Sequence, residues 1–170
     1  MKRNVRFITQ AAIIAALYAS ISYAQAAIFP GSQAAAVQFR VSEALMVLCF
    51  FTPAALPGLT LGCAVTNVLS GFPADNLFGS VATLISCYAM WMTRNCKLLG
   101  FPLFPLFFPV ITNALIVGAE LQFFMIGSWN FFSFLLQAVL VGVGELGVML
   151  ILGIPFYYLI MKTRLHSILK

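Results

Sequence analysis

Hydrophobic positions in this chain gather into five long runs, at residues 7–29, 41–71, 77–93, 103–126 and 131–161. Runs of this length read as membrane-crossing helices, which need about 20 apolar residues. The first run follows Lys2, Arg3 and Arg6, as the core of a signal peptide would. At 23 residues it is too long for such a core and reads as a retained first helix. The second run covers 31 residues and contains Pro53, Pro57 and Gly58. One helix of that length would overshoot the bilayer, so TPAALPG at 52–58 predicts a turn between two short helices. The last run carries Gly153 and Pro155 near its end and predicts one helix, kinked or frayed there. The expected fold is all-α: a single domain over residues 1–170, built as a bundle of six transmembrane helices.

Composition agrees. Of 170 residues, 62% are hydrophobic and 8% charged, against about 25% charged in a soluble domain. One core of a water-soluble fold this size could not hide so much apolar surface, so the solvent is membrane lipid. The net charge of +5 is carried by too few basic residues, with no basic stripe, for a nucleic-acid partner. Disorder and a secreted disulfide scaffold fail on hydrophobicity. Cys49, Cys63, Cys87 and Cys96 form no CxxC pair and read as reduced packing residues.

Charge placement tests the helix count. Basic residues beside spans mark the cytoplasmic side. Lys2, Arg3 and Arg6 precede the first helix, Arg94 and Lys97 follow the fourth, and Lys162, Arg164 and Lys170 follow the sixth. With six helices and both termini cytoplasmic, all three clusters fall inside. A five-helix count breaks this pattern, so parity supports dividing the run 41–71.

Only Arg40 and the four acids Glu43, Asp75, Glu120 and Glu145 then lie in the outer or embedded region. Embedded carboxylates are costly and usually face a bundle interior or a site. Glu120 and Asn113 are two turns apart on one face of the fifth helix. Glu145 lies mid-way along the sixth helix, in GVGEL, where glycines leave room for a neighbouring helix or a ligand. Gln38, Arg40 and Glu43 cluster at the start of the second helix, where Arg40 and Glu43 suit either an interfacial ion pair or a site. Asn67 is inside the third helix, as a helix bridge or a site residue. Asp75 with Asn76 reads as an outer turn or helix cap, and Trp129 as an interfacial anchor or a stacking ring. These groups can converge on one outward-opening cavity. His166 reads as a surface residue.

In the first helix Ala11, Ala15 and Ala19 recur every fourth residue, with Ala12 and Ala16 alongside. Such spacing permits close helix approach, either within the bundle or to a separate membrane protein. There is no GxxxxGK[ST] phosphate loop, so energy for active transport must come from an ion gradient or from partner proteins. HExxH and GxSxG are absent, and a single Asp excludes an aspartyl dyad, so no enzyme activity is expected.

The combination of AAIIAALYA, VQFRVSEAL, FFTPAALPGLTLGC, NALIVGAEL and GVGELGV, in that order over roughly residues 7–160, resembles the QueT family. These are substrate-binding (S) components of energy-coupling factor transporters, associated with queuosine precursors. The resemblance implies a multi-pass protein of the bacterial plasma membrane that binds its ligand from outside. It implies docking, through Ala11, Ala15 and Ala19, on a transmembrane coupling (T) subunit seated on two ATPase subunits. The implied ligand is a 7-deazaguanine base, such as 7-aminomethyl-7-deazaguanine or queuine. No metal or other cofactor is implied. A carboxylate, Glu120 or Glu145, suits the two adjacent donors of a guanine-like edge. Asn113 or Asn67 suits the ring carbonyl, Glu43 or Asp75 an aminomethyl cation, and Trp129 a stacking role. The rival expectation is a stand-alone proton-coupled transporter of a small cationic solute. A third is an assembly subunit with no ligand.

Overall fold

The computed structural model describes residues 2–32, 37–70, 73–96, 102–127, 129–163 and 165, with side chains for all of these but 2, 69, 70, 73–76 and 125. Lys97, Arg164, His166 and Lys170 therefore lie outside the described residues. The described chain is helical, without strands. Helix α1 is Lys2–Ile28, followed by a 3-10 helix at Val41–Phe50, then α2 at Ala55–Ser70 and α3 at Pro73–Thr93. A short 3-10 turn at Phe104–Leu106 leads into α4 at Phe107–Leu121, which continues as a π-helical turn, Gln122–Ile126. Helix α5, Phe131–Val148, passes through a second π-helical stretch, Met149–Gly153, into α6 at Ile154–Lys162.

Three continuous helical stretches, Arg3–Ile28, Phe104–Phe124 and Phe131–Lys162, are long and apolar enough to cross a membrane. Val41–Phe50, Ala55–Val68 and Leu77–Thr93 are shorter apolar helices. These are the six stretches expected from the hydrophobic runs. One detail differs. Asp75 and Asn76, expected in a turn, belong to the first turn of α3, because Pro73 can open a helix where its missing N–H costs nothing.

The division of the second run has a geometric cause. A Cβ on Gly58 would lie 2.8 Å from the Ala11 carbonyl oxygen, and one on Gly62 would lie 2.9 Å from that of Ala15. Residue numbers rise together along both helices, so α1 and α2 pack parallel, backbone close to backbone. Two parallel neighbours need the chain to return between them, and the 3-10 helix makes that return. Val41 N–H donates to Gln25 Oε1 at 2.8 Å, Ser22 Oγ to Ser42 Oγ at 2.7 Å, and Tyr18 OH to Glu43 Oε1 at 2.5 Å. The Thr52 hydroxyl then donates to Gln10 Oε1 at 3.2 Å. From Gln25 back to Gln10, α1 covers about 22 Å at its ~1.5 Å rise. Ten residues in 3-10 form span ~20 Å, whereas the same ten as an α-helix would reach only ~15 Å. The stretched form fits the distance.

This 3-10 helix is the centre of the molecule. Every residue from Ser42 to Cys49 is buried. Met46, Val47 and Cys49 pack with Tyr18, Leu59, Cys63, Cys87, Met90 and Met149 into the main core. Outward faces are apolar instead of polar. Ile13 and Leu17 of α1 and Val139 and Val143 of α5 are all exposed, as lipid-facing positions should be.

Helices α4 and α5 are antiparallel neighbours. A Cβ on Gly118 would be 3.0 Å from Ala138 Cα, and one on Gly142 would be 3.4 Å from Ala114 Cβ. The expected kink near Gly153 and Pro155 takes the form of the π-helical stretch. Proline at the start of α6 cannot donate to the preceding turn, and the wider turn absorbs the lost bond.

Candidate functional site

The segment just before the 3-10 helix crosses the inner face of α5, and two features hold it there. Gln25 of α1 uses both ends of its amide. Its nitrogen donates to Ser32 Oγ at 2.9 Å and to the Phe39 carbonyl, while its oxygen takes the Val41 N–H. On the other side, Gly144 gives the chain room. A Cβ there would lie 2.1 Å from the Gln38 carbonyl oxygen, an impossible contact, so only glycine lets the segment lie flat on α5.

Between this segment and the α4–α5 pair is a small cavity lined by Gln38, Arg40, Asn113, Val117, Val141 and Glu145. Asn113 and Val117 are one turn apart on α4, and Val141 and Glu145 one turn apart on α5, so each helix presents one apolar and one polar position. As it stands the cavity has room for about one water molecule, so it must widen around a ligand the size of a purine. Its polar groups are buried: Arg40 is 8% exposed, Asn113 6% and Glu145 3%. Glu145 takes a side-chain hydrogen bond from Asn113, and the charges of Arg40 and Glu43 lie within electrostatic reach of it. Its Oε1 has no hydrogen-bond partner among the described residues. A buried carboxylate oxygen at the wall of a cavity is an acceptor in want of a donor, and a ligand N–H would supply one.

Glu43 stands behind this wall. It is 1% exposed and is held by the Tyr18 hydroxyl at 2.5 Å. Of the residues expected at the site, the structure thus brings together Arg40, Asn113 and Glu145, with Glu43 beside them. Glu120 is buried on α4, but two turns beyond Asn113, about 10.5 Å along the helix, with Val117 between them. Asn67 is buried on α2 and donates to Cys63 Sγ at 3.4 Å. Trp129 is 55% exposed, stacked between Phe123 and Phe134 with ring centroids 5.1 and 5.4 Å away. None of the three lines the cavity. The Asp75 side chain lies outside those described. On α1, Ala11 is buried against Gly58, Ala15 and Ala19 are half-buried, and Ala12 and Ala16 are exposed.

Sequence reasoning missed Tyr18, Ser22 and Gln25, which anchor the site from α1. A signal was available: spaced i, i+4 and i+7, they form a polar stripe on one face of an apolar helix. No group of three or more metal-ligating side chains occurs among the described residues.

The family model described as "QueT transporter" matches residues 8–162. A curated relative, "Queuosine precursor transporter QueT" of Lactococcus lactis subsp. cremoris (strain MG1363), is 35% identical over 89 residues, 50% of each chain. The matched part thus spans half the length of that relative. No solved structure matches. The family match covers nearly all of the helical bundle with its buried polar cavity: the chain belongs to the QueT transporter family, as a multi-pass protein of the bacterial cell membrane.

Proposed function

We propose that this chain captures a queuosine precursor, a 7-deazaguanine base, from outside the cell and delivers it inward as the substrate-binding component of an energy-coupling factor transporter. The observation that carries the reading is the buried pair Glu145 and Asn113 on the wall of the cavity, with Glu145 Oε1 unpartnered. A guanine-like edge presents two neighbouring donors, the ring N–H and the exocyclic amine, and a carboxylate accepts both. The Asn113 amide donates to the ring carbonyl. Substrate identity is supported by the similarity to the queuosine precursor transporter of Lactococcus lactis.

Access from outside is supported by connectivity. The cavity lies at the level of Gln25, near the carboxyl end of α1, where Gln25 holds the chain next to Gln38. With the amino terminus in the cytoplasm, as Lys2, Arg3 and Arg6 predict, that end of α1 is the outer one. The coupling subunit and its two ATPase subunits supply the energy that this chain has no phosphate loop to harvest. They dock along α1, where Ala15 and Ala19 sit at the edge of the small exposed residues Ala12 and Ala16.

Calorimetry of the purified protein with 7-aminomethyl-7-deazaguanine tests the ligand. Saturable binding is expected, weakened by ~1.5–3 kcal/mol in Glu145→Gln, the scale of a charge-assisted hydrogen bond. Equal affinity in that variant rejects the role of Glu145. Co-purification tests the partners: Ala15→Trp should block assembly and spare ligand binding. Uptake into liposomes by the chain alone, under a proton gradient, would instead identify a stand-alone transporter.

A further inference from the structure

The core around the 3-10 helix is rich in sulfur. Met46, Cys49, Cys63, Cys87, Met90 and Met149 all belong to it, and none is exposed. Such residues commonly serve as soft, adaptable packing. Here helix geometry orders four of them. A 3-10 helix has about three residues per turn, so Met46 and Cys49 stand one above the other on a single edge. On α3, Cys87 and Met90 are also three apart and share a face. The two edges meet, because the Cys49 and Cys87 thiols are hydrogen-bonded to each other. Cys63 is engaged elsewhere and takes the Asn67 amide at 3.4 Å.

Among the described residues no three His, Cys, Asp or Glu side chains converge on a metal, which leaves zinc and the harder cations without a donor set. Thioethers are a different kind of donor. Together with thiolate they select soft cations such as Cu(I). We infer that Met46, Cys49, Cys87 and Met90 form a buried all-sulfur site for a soft monovalent cation, Cu(I) or its redox-inert analogue Ag(I), between the 3-10 helix and α3. On binding, one S–H bond breaks and a metal–thiolate bond forms. The proton leaves to solvent, the second thiol keeps its own, and no electron is transferred. The site exchanges one positive charge for another and stays neutral, as a low-dielectric interior demands. None of the four residues lines the cavity, so this site is separate from the one described above. A cation held there clasps the 3-10 helix to α3.

The test uses the full chain with Cys96→Ala, which removes the exposed thiol. Protein is purified in detergent after growth with added copper and challenged with the Cu(I) chelator bathocuproine disulfonate. About one copper per chain should remain, with sulfur as its nearest neighbour in X-ray absorption. Ag(I) added to the metal-free protein should raise its melting temperature, because a ligand held only by the folded chain stabilises it. Cys49→Ala and Cys87→Ala should each abolish both effects. Met46→Leu and Met90→Leu keep the core volume and both thiols, and each should weaken retention at least about tenfold. Melting curves of the metal-free variants show that each still folds. A chain that retains no copper and shows no shift with Ag(I) overturns the site. Retention unchanged in a cysteine variant puts the metal elsewhere and overturns it equally. Retention unchanged in both methionine variants overturns the thioether ligands.

Discussion

At the scale of single residues, the site depends on side chains that hold the backbone as much as on those that face the cavity. Gln25 satisfies the Phe39 carbonyl and the Val41 N–H with one amide. Removing it in Gln25→Ala strands two polar backbone groups, at about 1–3 kcal/mol for each that stays buried. A lower melting temperature in detergent is expected, with weaker ligand binding, and an unchanged melting curve would refute the anchoring role. Gly144→Ala places a methyl group where the Gln38 carbonyl now lies, 2.1 Å away. The backbone must lift off α5, so ligand binding should fall by more than tenfold, measured by calorimetry on protein that still elutes as a single species. The sequence made some of this legible. Arg40, Glu43, Asn113 and Glu145 stood out because charge and amide are rare in lipid. Glu120 and Asn67 stood out for the same reason, yet one-dimensional spacing could not tell that Val117 and the turn of α4 separate Glu120 from the cavity. Tyr18 and Gln25 are less legible, because tyrosine is common at membrane interfaces, a lone glutamine near a helix end looks like an ordinary polar terminus, and the alanines of α1 form the more conspicuous pattern.

At the scale of elements, small residues decide which helices touch. Gly62 meets Tyr18 and Ala15, with a Cβ there only 2.7 Å from Tyr18 Cβ. Gly62→Val should force α1 from α2, costing ~1–3 kcal/mol as overpacking does and shifting the Tyr18 ring that supports Glu43. Thermal unfolding should report the loss, and an unperturbed stability would mean the helices separate freely there. The six helical stretches were readable from apolar run length and proline position. Their fine form was not. Whether ten apolar residues wind as α or 3-10 depends on the distance they must cover, and that distance is set by α1, a segment remote in sequence. The π-helical stretch at Met149–Gly153 was legible only as a disturbance near Pro155, because the number of residues that absorb a lost hydrogen bond depends on neighbouring packing.

At the scale of the molecule, parity governs sidedness. Cys96, after α3, is exposed, while Cys49, Cys63 and Cys87 are buried. A membrane-impermeant maleimide should therefore label Cys96 alone, and only in inside-out vesicles, if the amino terminus and the α3–α4 connection are cytoplasmic. Labelling in right-side-out vesicles would reverse the orientation. The same parallel pairing of α1 and α2 that fixes this parity also holds one part of the molecule stretched. The ten residues of Val41–Phe50 are wound in the longer of two helical pitches, and rewinding them with α-type bonds would shorten the stretch by ~5 Å. One end carries Glu43 and adjoins Arg40, and the other joins α2 through Pro53. Shortening would pull Val41, Ser42 and Glu43 off Gln25, Ser22 and Tyr18, so α1 acts as a ruler that sets the height at which Arg40 and Glu43 stand in the bundle.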